Sequence, residues 1–206
     1  MIVIGITGVP CSVKTTVSNM FRELGAEVID ADLIGHQLLS PFTPTWRKIR
    51  QYFGPGIVDN NTGEIDREKL GSMVFRDHML LNKLNALMHP LIIEEIRRKL
   101  EQLGQGETRA AVLDVPLLIE VGLHKAVDAV IVVTVKSHVQ LARLRKKNPH
   151  LTDLEIDQRM RSQLNQDVKQ EYADFIIDNS GDLDKTRQQV YSTFQELMKK
   201  QSTPQE

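Results

Sequence analysis

Short apolar runs rich in β-branched residues recur along the chain, and segments with the helical spacing of apolar residues separate them. The runs predict five strands, at residues 1–6, 27–32, 110–115, 129–135 and 175–178. The run at 129–135 is apolar at every position except Thr134, which indicates burial on both faces and therefore a parallel sheet with helices on each side. Strands that alternate with helical segments predict a three-layer α/β domain.

Helix breakers and capping residues locate the helices between these strands. Pro90 suits a first helical position, so residues 79–88 and 90–104 are predicted to form two separate helices. Two capping-box patterns predict further helix starts, namely Ser137 with Gln140 and Thr152 with Glu155. Apolar spacing predicts the other helices at residues 33–39, 46–53, 66–75 and 183–198.

The first strand leads into a loop that begins at Gly8, and Lys14, Thr15 and Thr16 start the helix that follows. A strand, a tight loop, a Lys-Thr pair and a helix in this order form the context that a phosphate-binding loop requires. The N–H groups and the dipole at the start of a helix favour a bound anion. Lys14 would reach the outer phosphates of a nucleotide, and the Thr15 hydroxyl would bind Mg²⁺.

This loop departs from the pattern G-x-x-x-x-G-K-[ST] at one position. It reads Gly8-Val9-Pro10-Cys11-Ser12-Val13-Lys14-Thr15, so Val13 stands where the second glycine belongs. Glycine adopts a positive φ without penalty, whereas a β-branched residue with a positive φ is an outlier. These residues alone therefore leave two interpretations open, a phosphate site and a plain strand-turn-helix.

Carboxylates follow two of the predicted strands, at the sheet edge where α/β proteins bind ligands. Asp30 and Asp32 end the second strand, and the alternation of a strand would point both to one face. Asp32 suits coordination of Mg²⁺ or removal of a proton from an attacking hydroxyl, and its alternative role is a cap for the next helix. Asp114, near the end of the third strand, suits ordering of the water around Mg²⁺.

Two helical stretches interrupt the predicted sheet. Residues 36–107 are either a substrate-binding insertion or a larger helical layer. Residues 137–169 contain two basic helices that resemble a lid, in which Arg143 would bind phosphate, whereas Lys146 and Lys147 suit a solvated helix end. The predicted organisation is a single domain over 1–200, with a core of 1–35, 108–136 and 170–200, and a disordered tail at 201–206.

Composition narrows the classes of function. Of the 206 residues, 41% are hydrophobic, which suffices for a sizeable core, and the net charge of −1 gives no electrostatic case for nucleic acid. No apolar run approaches the length of a membrane span, and the single cysteine, Cys11, fits a reducing compartment. We therefore expect a cytoplasmic protein that acts on a small molecule, without nucleic-acid or membrane partners, as a monomer or weak homo-oligomer.

A series of short motifs appears in order along nearly the whole chain. They are Gly5-Ile6-Thr7-Gly8 with Lys14-Thr15-Thr16, Val28-Ile29-Asp30-Ala31-Asp32, Phe53-Gly54, Ile65-Asp66-Arg67, His89-Pro90, Asp114-Val115-Pro116-Leu117-Leu118 with Glu120, Gln140-Leu141-Ala142-Arg143, Arg159 with Gln163, and Ala173-Asp174-Phe175-Ile176-Ile177-Asp178-Asn179-Ser180-Gly181. At these spacings the chain resembles the dephospho-CoA kinases, the P-loop kinases that complete coenzyme A synthesis.

The resemblance implies ATP-dependent phosphorylation of the ribose 3′-hydroxyl of dephospho-CoA, with Mg²⁺, on a P-loop kinase fold with strand order 2-3-1-4-5. It implies that Asp32 is the general base or the carboxylate that orients the hydroxyl, that Lys14 and Arg143 also serve catalysis, and that the insertion receives the pantetheine end. The residues implied in ATP binding are Gly8, Cys11, Ser12, Val13, Lys14, Thr15 and Thr16 for the phosphates, and Asn179 and Gly181 for the adenine.

The loop also departs from the family pattern, Gly-Gly-x-Gly/Ala-Ser-Gly-Lys, because Val9, Cys11 and Val13 replace small or glycine residues. We therefore hypothesise that its ATP affinity is weakened. Two other functions stay open, a protein that binds the CoA precursor without phosphate transfer and a P-loop kinase for another small acceptor. The retained Lys14 and Asp32 disfavour the first, and the long helical insertion disfavours the second.

Overall fold

Five parallel strands form one sheet in the computed structural model, which describes residues 1–202. The strands are β1 (Ile2–Gly8), β2 (Glu27–Asp30), β3 (Ala110–Asp114), β4 (Ala129–Thr134) and β5 (Phe175–Asp178). Their order, β2-β3-β1-β4-β5, is the order that the family resemblance implied. The helices are α1 (Lys14–Glu23), α2 (Ala31–Leu38), α3 (Pro44–Phe53), α4 (Arg67–Arg76), α5 (His78–Gly104), α6 (Ser137–Lys147), α7 (Asp153–Arg161), α8 (Gln166–Gln170) and α9 (Leu183–Ser202).

Strand β1 lies at the centre of the sheet, between β3 and β4. Ile6 pairs with Asp114 on one side, and Gly8 pairs with Val133 on the other. Because the strands are parallel, the segments that follow β1, β3 and β4 all leave from the same edge. This edge is where the predicted phosphate loop begins.

The core of the sheet explains the apolar runs in the sequence. Every residue of β3 and β4 is buried, as predicted for strands covered on both faces. Helices α1 and α9 pack together over one face, and the rings of Phe21 and Phe194 meet edge-on at 5.9 Å between centroids. Helix α8 contacts β1 and β4.

Residues 31–99 form a second compact unit with an apolar core of its own. That core comprises Trp46, Ile49, Phe53, Ile57, Ile65, Leu70, Val74 and Met88. The unit begins with α2, directly after β2, and ends within α5. It therefore starts and ends earlier in the chain than the predicted insertion at 36–107.

Helix α5 is continuous from His78 to Gly104 with Pro90 inside it, so the prediction of two helices divided at Pro90 is wrong. An internal proline removes one backbone hydrogen bond and crowds the preceding turn, at a cost of about 3 kcal/mol. Packing on both sides of the proline offsets this cost, because Met88 is buried in the core of residues 31–99 and Ile92 packs against the same core. Tertiary burial overrides the local preference here.

One of the two predicted capping boxes is present. Thr152 and Glu155 exchange both hydrogen bonds of the box at the start of α7. The box predicted at Ser137 is wrong, because Lys136 occupies the cap position of α6 and makes no side-chain cap bond. The side chain of Gln140 instead donates to the carbonyl oxygen of Pro10, a residue far away in sequence.

The C-terminal helix is longer than predicted. Helix α9 runs to Ser202, so residues 201 and 202 of the predicted tail are helical, and the remainder of that tail, 203–206, lies outside the described residues. Across residues 1–202, no helix is both long enough and apolar enough to cross a membrane.

We predict that Gly25→Ala lowers the free energy of unfolding by about 1 kcal/mol, because Gly25 has a φ of 96° and an alanine Cβ would be strained there. Gly104→Ala is the matched control, since it lies at the end of α5 in open space, without a positive φ. We expect Gly104→Ala to be neutral or slightly stabilising. Urea unfolding of the two variants makes the comparison, and equal losses in both would contradict the backbone explanation.

Candidate active site

Four carbonyl groups, at the end of β1 and in the loop that joins it to α1, are bound by side chains. The donor and acceptor pairs are Lys14 Nζ to Gly8 O (3.4 Å), Gln140 Nε2 to Pro10 O (3.0 Å), Arg143 Nη1 to Cys11 O (3.3 Å) and Asn179 Nδ2 to Ser12 O (2.8 Å). The donors belong to α1, to α6 and to the turn after β5. The helix that follows the loop and two segments that are distant in sequence therefore converge on it.

The bound carbonyls determine the direction of the N–H groups. In a trans peptide, the N–H of the next residue points opposite to the carbonyl. The N–H groups of Val9, Cys11 and Val13 therefore turn away from the side-chain donors, whereas the Ser12 N–H donates to Val9 O at 3.1 Å within the turn. Successive backbone N–H groups that are not used within the fold are the donors from which a backbone anion site is built.

The backbone of the loop has the conformation that the glycine pattern demands, although two positions lack glycine. Cys11 has a φ of 60° and Val13 a φ of 62°, both in the left-handed region. Residues in this region alternate with right-handed ones in anion-binding loops. The conformation costs a residue with a Cβ about 1–2 kcal/mol, and a β-branched side chain tolerates it least. Val13 therefore adopts the conformation that the motif assigns to glycine, although it carries a β-branched side chain.

The Cys11 thiol lies among cationic side chains and is half-buried. Burial raises the pKa of the Cys11 thiol, and the positive charges of Lys147, Lys14 and Arg143 offset only part of that effect. The thiol is therefore protonated at neutral pH. It adds no negative charge to a loop whose N–H groups suit an anion.

The start of α1 contributes the groups that the motif predicted. Lys14, Thr15 and Thr16 form its first turn, which contains no acidic residue, so the positive end of the helix dipole is not compensated there. Thr15 is exposed, and Ser12 is fully buried just before the helix. The Ser12 hydroxyl has no hydrogen-bond partner within residues 1–202.

Arg143 and Asn179 stabilise each other and the loop. Arg143 Nη2 donates to Asn179 O at 3.0 Å, in addition to the bond from Nη1 to Cys11. Asn179 is buried, and its Oδ1 accepts from the Thr186 hydroxyl at 3.2 Å. The geometry thus assigns both side chains to the support of the loop. Contact of Arg143 with phosphate, and of Asn179 and Gly181 with adenine, stays a prediction.

Asp114 is buried at the end of β3, where it accepts a hydrogen bond from Ser18 Oγ at 2.9 Å. Ser18 lies on α1, one turn after the Thr15 hydroxyl. Within residues 1–202, no group of three or more His, Cys, Asp or Glu side chains could hold a metal ion. Mg²⁺ in kinases needs only one or two protein groups beside the substrate phosphates and waters. The exposed Thr15 hydroxyl and the Asp114 carboxylate have the oxygen chemistry that Mg²⁺ requires, and their part in binding it stays a prediction.

Asp32 lies in the first turn of α2, in the unit formed by residues 31–99. Strand β2 ends at Asp30 and α2 begins at Ala31, so the prediction that Asp30 and Asp32 share one face of a strand is wrong. The predicted alternative, a cap, is also wrong, because Asp32 is the second residue of the helix. His36 lies four residues later, on the same face of α2, and its ring contacts Arg67.

Sequence reasoning missed two residues near the loop. The capping-box pattern explains Gln140 only as a local cap, although its side chain donates to Pro10 O in the loop. No pattern in the sequence points to Lys169, whose fully buried ammonium group lies 3.3 Å from the hydroxyl of Thr7, the residue before Gly8. A lone lysine in a polar segment carries no local signal of burial, so only the three-dimensional arrangement reveals it.

We predict that Val13→Gly raises the free energy of unfolding by about 1 kcal/mol. Glycine removes the strain of the left-handed conformation, and the greater entropy of glycine in the unfolded chain offsets part of that gain. Val13→Ala is the matched control, because alanine removes the branched side chain and keeps a Cβ. Urea unfolding midpoints should rise clearly for glycine and much less for alanine. An equal rise for both would show that the cost comes from side-chain packing and not from the backbone.

Comparison with known proteins places this architecture in a family. The family model described as dephospho-CoA kinase matches residues 2–185. The dephospho-CoA kinase of Bacillus cereus (strain ZK / E33L) is 42% identical over 189 residues, with 92% of this chain and 94% of that protein covered. The corresponding protein of Symbiobacterium thermophilum is 46% identical over 190 residues, with coverages of 92% and 79%. The solved structure of the dephospho-CoA kinase from Campylobacter jejuni matches with a TM-score of 0.69 and 26% identity, over 97% of this chain and 98% of that one. This chain belongs to the dephospho-CoA kinase family.

Proposed function

We propose that this protein transfers the γ-phosphoryl group of ATP to the 3′-hydroxyl of the ribose of dephospho-CoA, giving coenzyme A and ADP. The observation that carries the proposal is the set of bound carbonyls between Gly8 and Ser12, which leaves the N–H groups of Val9, Cys11 and Val13 each directed away from the side chain that binds the preceding carbonyl. Membership of the dephospho-CoA kinase family supports the choice of acceptor.

In this proposal the loop and the start of α1 bind the ATP phosphates. The N–H groups of Val9, Cys11 and Val13 supply hydrogen bonds, and Lys14 supplies a positive charge to the outer phosphates. Arg143 already uses two of its donors on backbone carbonyls, and its remaining N–H groups are available to a phosphate oxygen. Phosphoryl transfer depends mainly on this kind of positioning and charge stabilisation.

Mg²⁺ would be held by the nucleotide phosphates together with the Thr15 hydroxyl, and Asp114 would order its water. When bound, the ion neutralises charge that develops on the phosphate oxygens. The hydrogen bond from Ser18 keeps the Asp114 carboxylate in one orientation at the end of β3. Asp114 would act on the ion through a bound water and not by direct contact, which suits an ion that retains several waters.

Asp32 is proposed as the group that orients the ribose hydroxyl and accepts its proton. Its position in the first turn of α2 leaves it exposed, as a residue that meets a substrate must be. A carboxylate at this position can accept a hydrogen bond from the ribose hydroxyl and then take its proton. The unit of residues 31–99 also contains His36, which lies on the same face of α2 as Asp32, and Arg67, which contacts the His36 ring.

The protein is further proposed to act in the cytoplasm as a monomer or weak homo-oligomer on a small-molecule substrate. The net charge of −1 and the absence of a membrane-spanning helix within residues 1–202 support a role without nucleic acid or membrane. Size-exclusion chromatography with light scattering measures the oligomeric state directly.

The test of the function is release of ADP in a coupled assay with MgATP and dephospho-CoA, checked by the mass of the product. We expect turnover that requires dephospho-CoA and a product heavier by one phosphoryl group. Thermal stabilisation by dephospho-CoA without any turnover would favour the binding protein. Equal or faster turnover with a nucleoside or shikimate would favour a kinase for another acceptor.

Asp32→Asn tests the proposed general base. We predict that it lowers kcat by about 10²- to 10⁴-fold, because the amide cannot accept the proton, and leaves the KM for MgATP nearly unchanged. Glu68→Gln, a neutralised carboxylate in the first turn of α4, is the matched control and should retain full activity. A loss of less than threefold in Asp32→Asn would contradict the assignment.

Val13→Gly tests the hypothesis that the loop weakens ATP binding. Strain at Val13 favours loop conformations other than the anion site, and apparent affinity falls with the fraction of protein in the competent conformation. We expect the glycine variant to bind MgATP up to about fivefold more tightly, in line with about 1 kcal/mol of relieved strain. Calorimetric titration measures this, and an unchanged affinity would show that the valine loop is already fully formed.

A further inference from the structure

Lys169, in the short helix α8, has a fully buried ammonium group with several oxygen partners. Its Nζ lies 2.8 Å from Pro116 O, 2.9 Å from Glu120 Oε1 and 3.3 Å from Thr7 Oγ1. A lysine with no exposure to water requires such partners, because an isolated buried charge is very unfavourable. The arrangement therefore constrains the segments that supply the oxygens.

The first of these segments is the end of β1. Thr7 is fully buried, directly precedes Gly8, and donates from its own hydroxyl to Pro116 O at 2.9 Å. Pro116 lies just after β3 in the chain. The ammonium group of Lys169 thus joins the strand that leads into the phosphate loop to the segment that follows Asp114.

The second constraint is on the helical segment formed by α6 and α7. The Glu120 carboxylate, which pairs with Lys169, also accepts the N–H of Leu164 at 3.0 Å, after the end of α7. The Val135 N–H, just before α6, donates to Gln166 Oε1 at 2.8 Å on α8. The start of the segment is therefore hydrogen-bonded to α8, and its end is hydrogen-bonded to Glu120, the partner of Lys169.

These two constraints meet at the phosphate loop. Helix α6 carries Gln140 and Arg143, which bind two of the loop carbonyls. The loop itself begins one residue after Thr7. A displacement of the end of β1 relative to α6 would therefore alter the hydrogen bonds that orient the peptide groups of the loop.

We propose that Lys169 is a positioning residue for phosphoryl transfer, which through Thr7, Pro116 and Glu120 holds the start of the phosphate loop in register with the helix that donates to the loop carbonyls. The proposal rests on the proposed kinase function. Lys169 touches neither nucleotide nor acceptor in this role. Its effect is on the affinity and alignment of MgATP.

Lys169→Met tests the proposal, because methionine keeps most of the buried side-chain volume and removes the charge. We expect the KM for MgATP to rise about tenfold and kcat to fall about 10- to 100-fold, as for a misalignment of about 1 Å. The KM for dephospho-CoA should stay within about twofold of its original value, because the change affects the ATP site. Lys185→Met, at an exposed position of α9, is the matched control and should change none of these constants.

The split between kinetic constants separates positioning from a merely structural role. All variants are measured at a temperature where circular dichroism shows them fully folded. A purely structural lysine would lower the melting temperature and leave both kcat and the KM for MgATP unchanged, and that result would overturn the proposal. An equal rise in both KM values would overturn it as well.

Glu120→Gln keeps the test available when Lys169→Met does not fold. Glu120 retains partial contact with water, with 19% of its side chain exposed, and glutamine preserves its shape and hydrogen-bonding oxygen. We expect a smaller change of the same kind, a rise of about threefold to tenfold in the KM for MgATP. No change in that constant would contradict the proposal.

A binding measurement distinguishes failure of this inference from failure of the kinase function. If the unmodified protein shows no turnover with dephospho-CoA, the proposed function fails, and calorimetric titration with MgATP alone still tests Lys169. Weaker MgATP binding by about tenfold in Lys169→Met, with no change in Lys185→Met, supports the positioning role. Equal affinity in all three proteins overturns it.

Discussion

The orientation of four peptide groups between β1 and α1 is the constraint on which the rest of the site depends. A backbone that must present N–H groups to an anion has to place its carbonyls elsewhere, and buried carbonyls need donors. Lys14, Gln140, Arg143 and Asn179 provide those donors from three separate parts of the chain. The sheet order makes this possible, because β1 lies next to β4, whose following helix supplies two of the donors.

The same contacts explain how the loop tolerates a valine and a cysteine in the left-handed region. Strained backbone persists only where the surroundings over-determine it. The carbonyls of Cys11 and Ser12, which lie between the two strained φ angles, are both bound, and the Thr16 N–H donates to Val13 O at 3.1 Å. The conformation is thus imposed by the neighbours of the loop and not by the intrinsic preference of its residues.

Local patterns predicted the architecture well, because burial leaves a regular trace in the sequence. The apolar run of β4 and the capping box at Thr152 show this. The errors occurred where a residue's partner is distant in sequence. Pro90 lies inside α5 because residues on both sides of it pack against the core of residues 31–99. Gln140 has the spacing of a capping residue, but its side chain binds Pro10, which is distant in sequence. The buried position of Lys169 depends on three segments that meet only in the folded chain, so no local pattern could have revealed it.

Lys14 and Lys169 show why the type of residue alone does not define a role. Each has a primary amine near the end of β1. Lys14 is partly exposed at the start of α1 and donates to Gly8 O, whereas Lys169 is fully buried and bound by oxygens of three residues. Burial lowers the pKa of Lys169, and its bonds to Glu120 counteract that effect. An apolar side chain could fill the same space at less electrostatic cost, since buried ion pairs rarely add net stability. An apolar side chain makes no hydrogen bonds, so it could not hold Thr7 and Pro116 in fixed positions relative to Glu120. A charged lysine at this position is therefore better explained by the need to fix the start of the phosphate loop than by a gain in the stability of the fold.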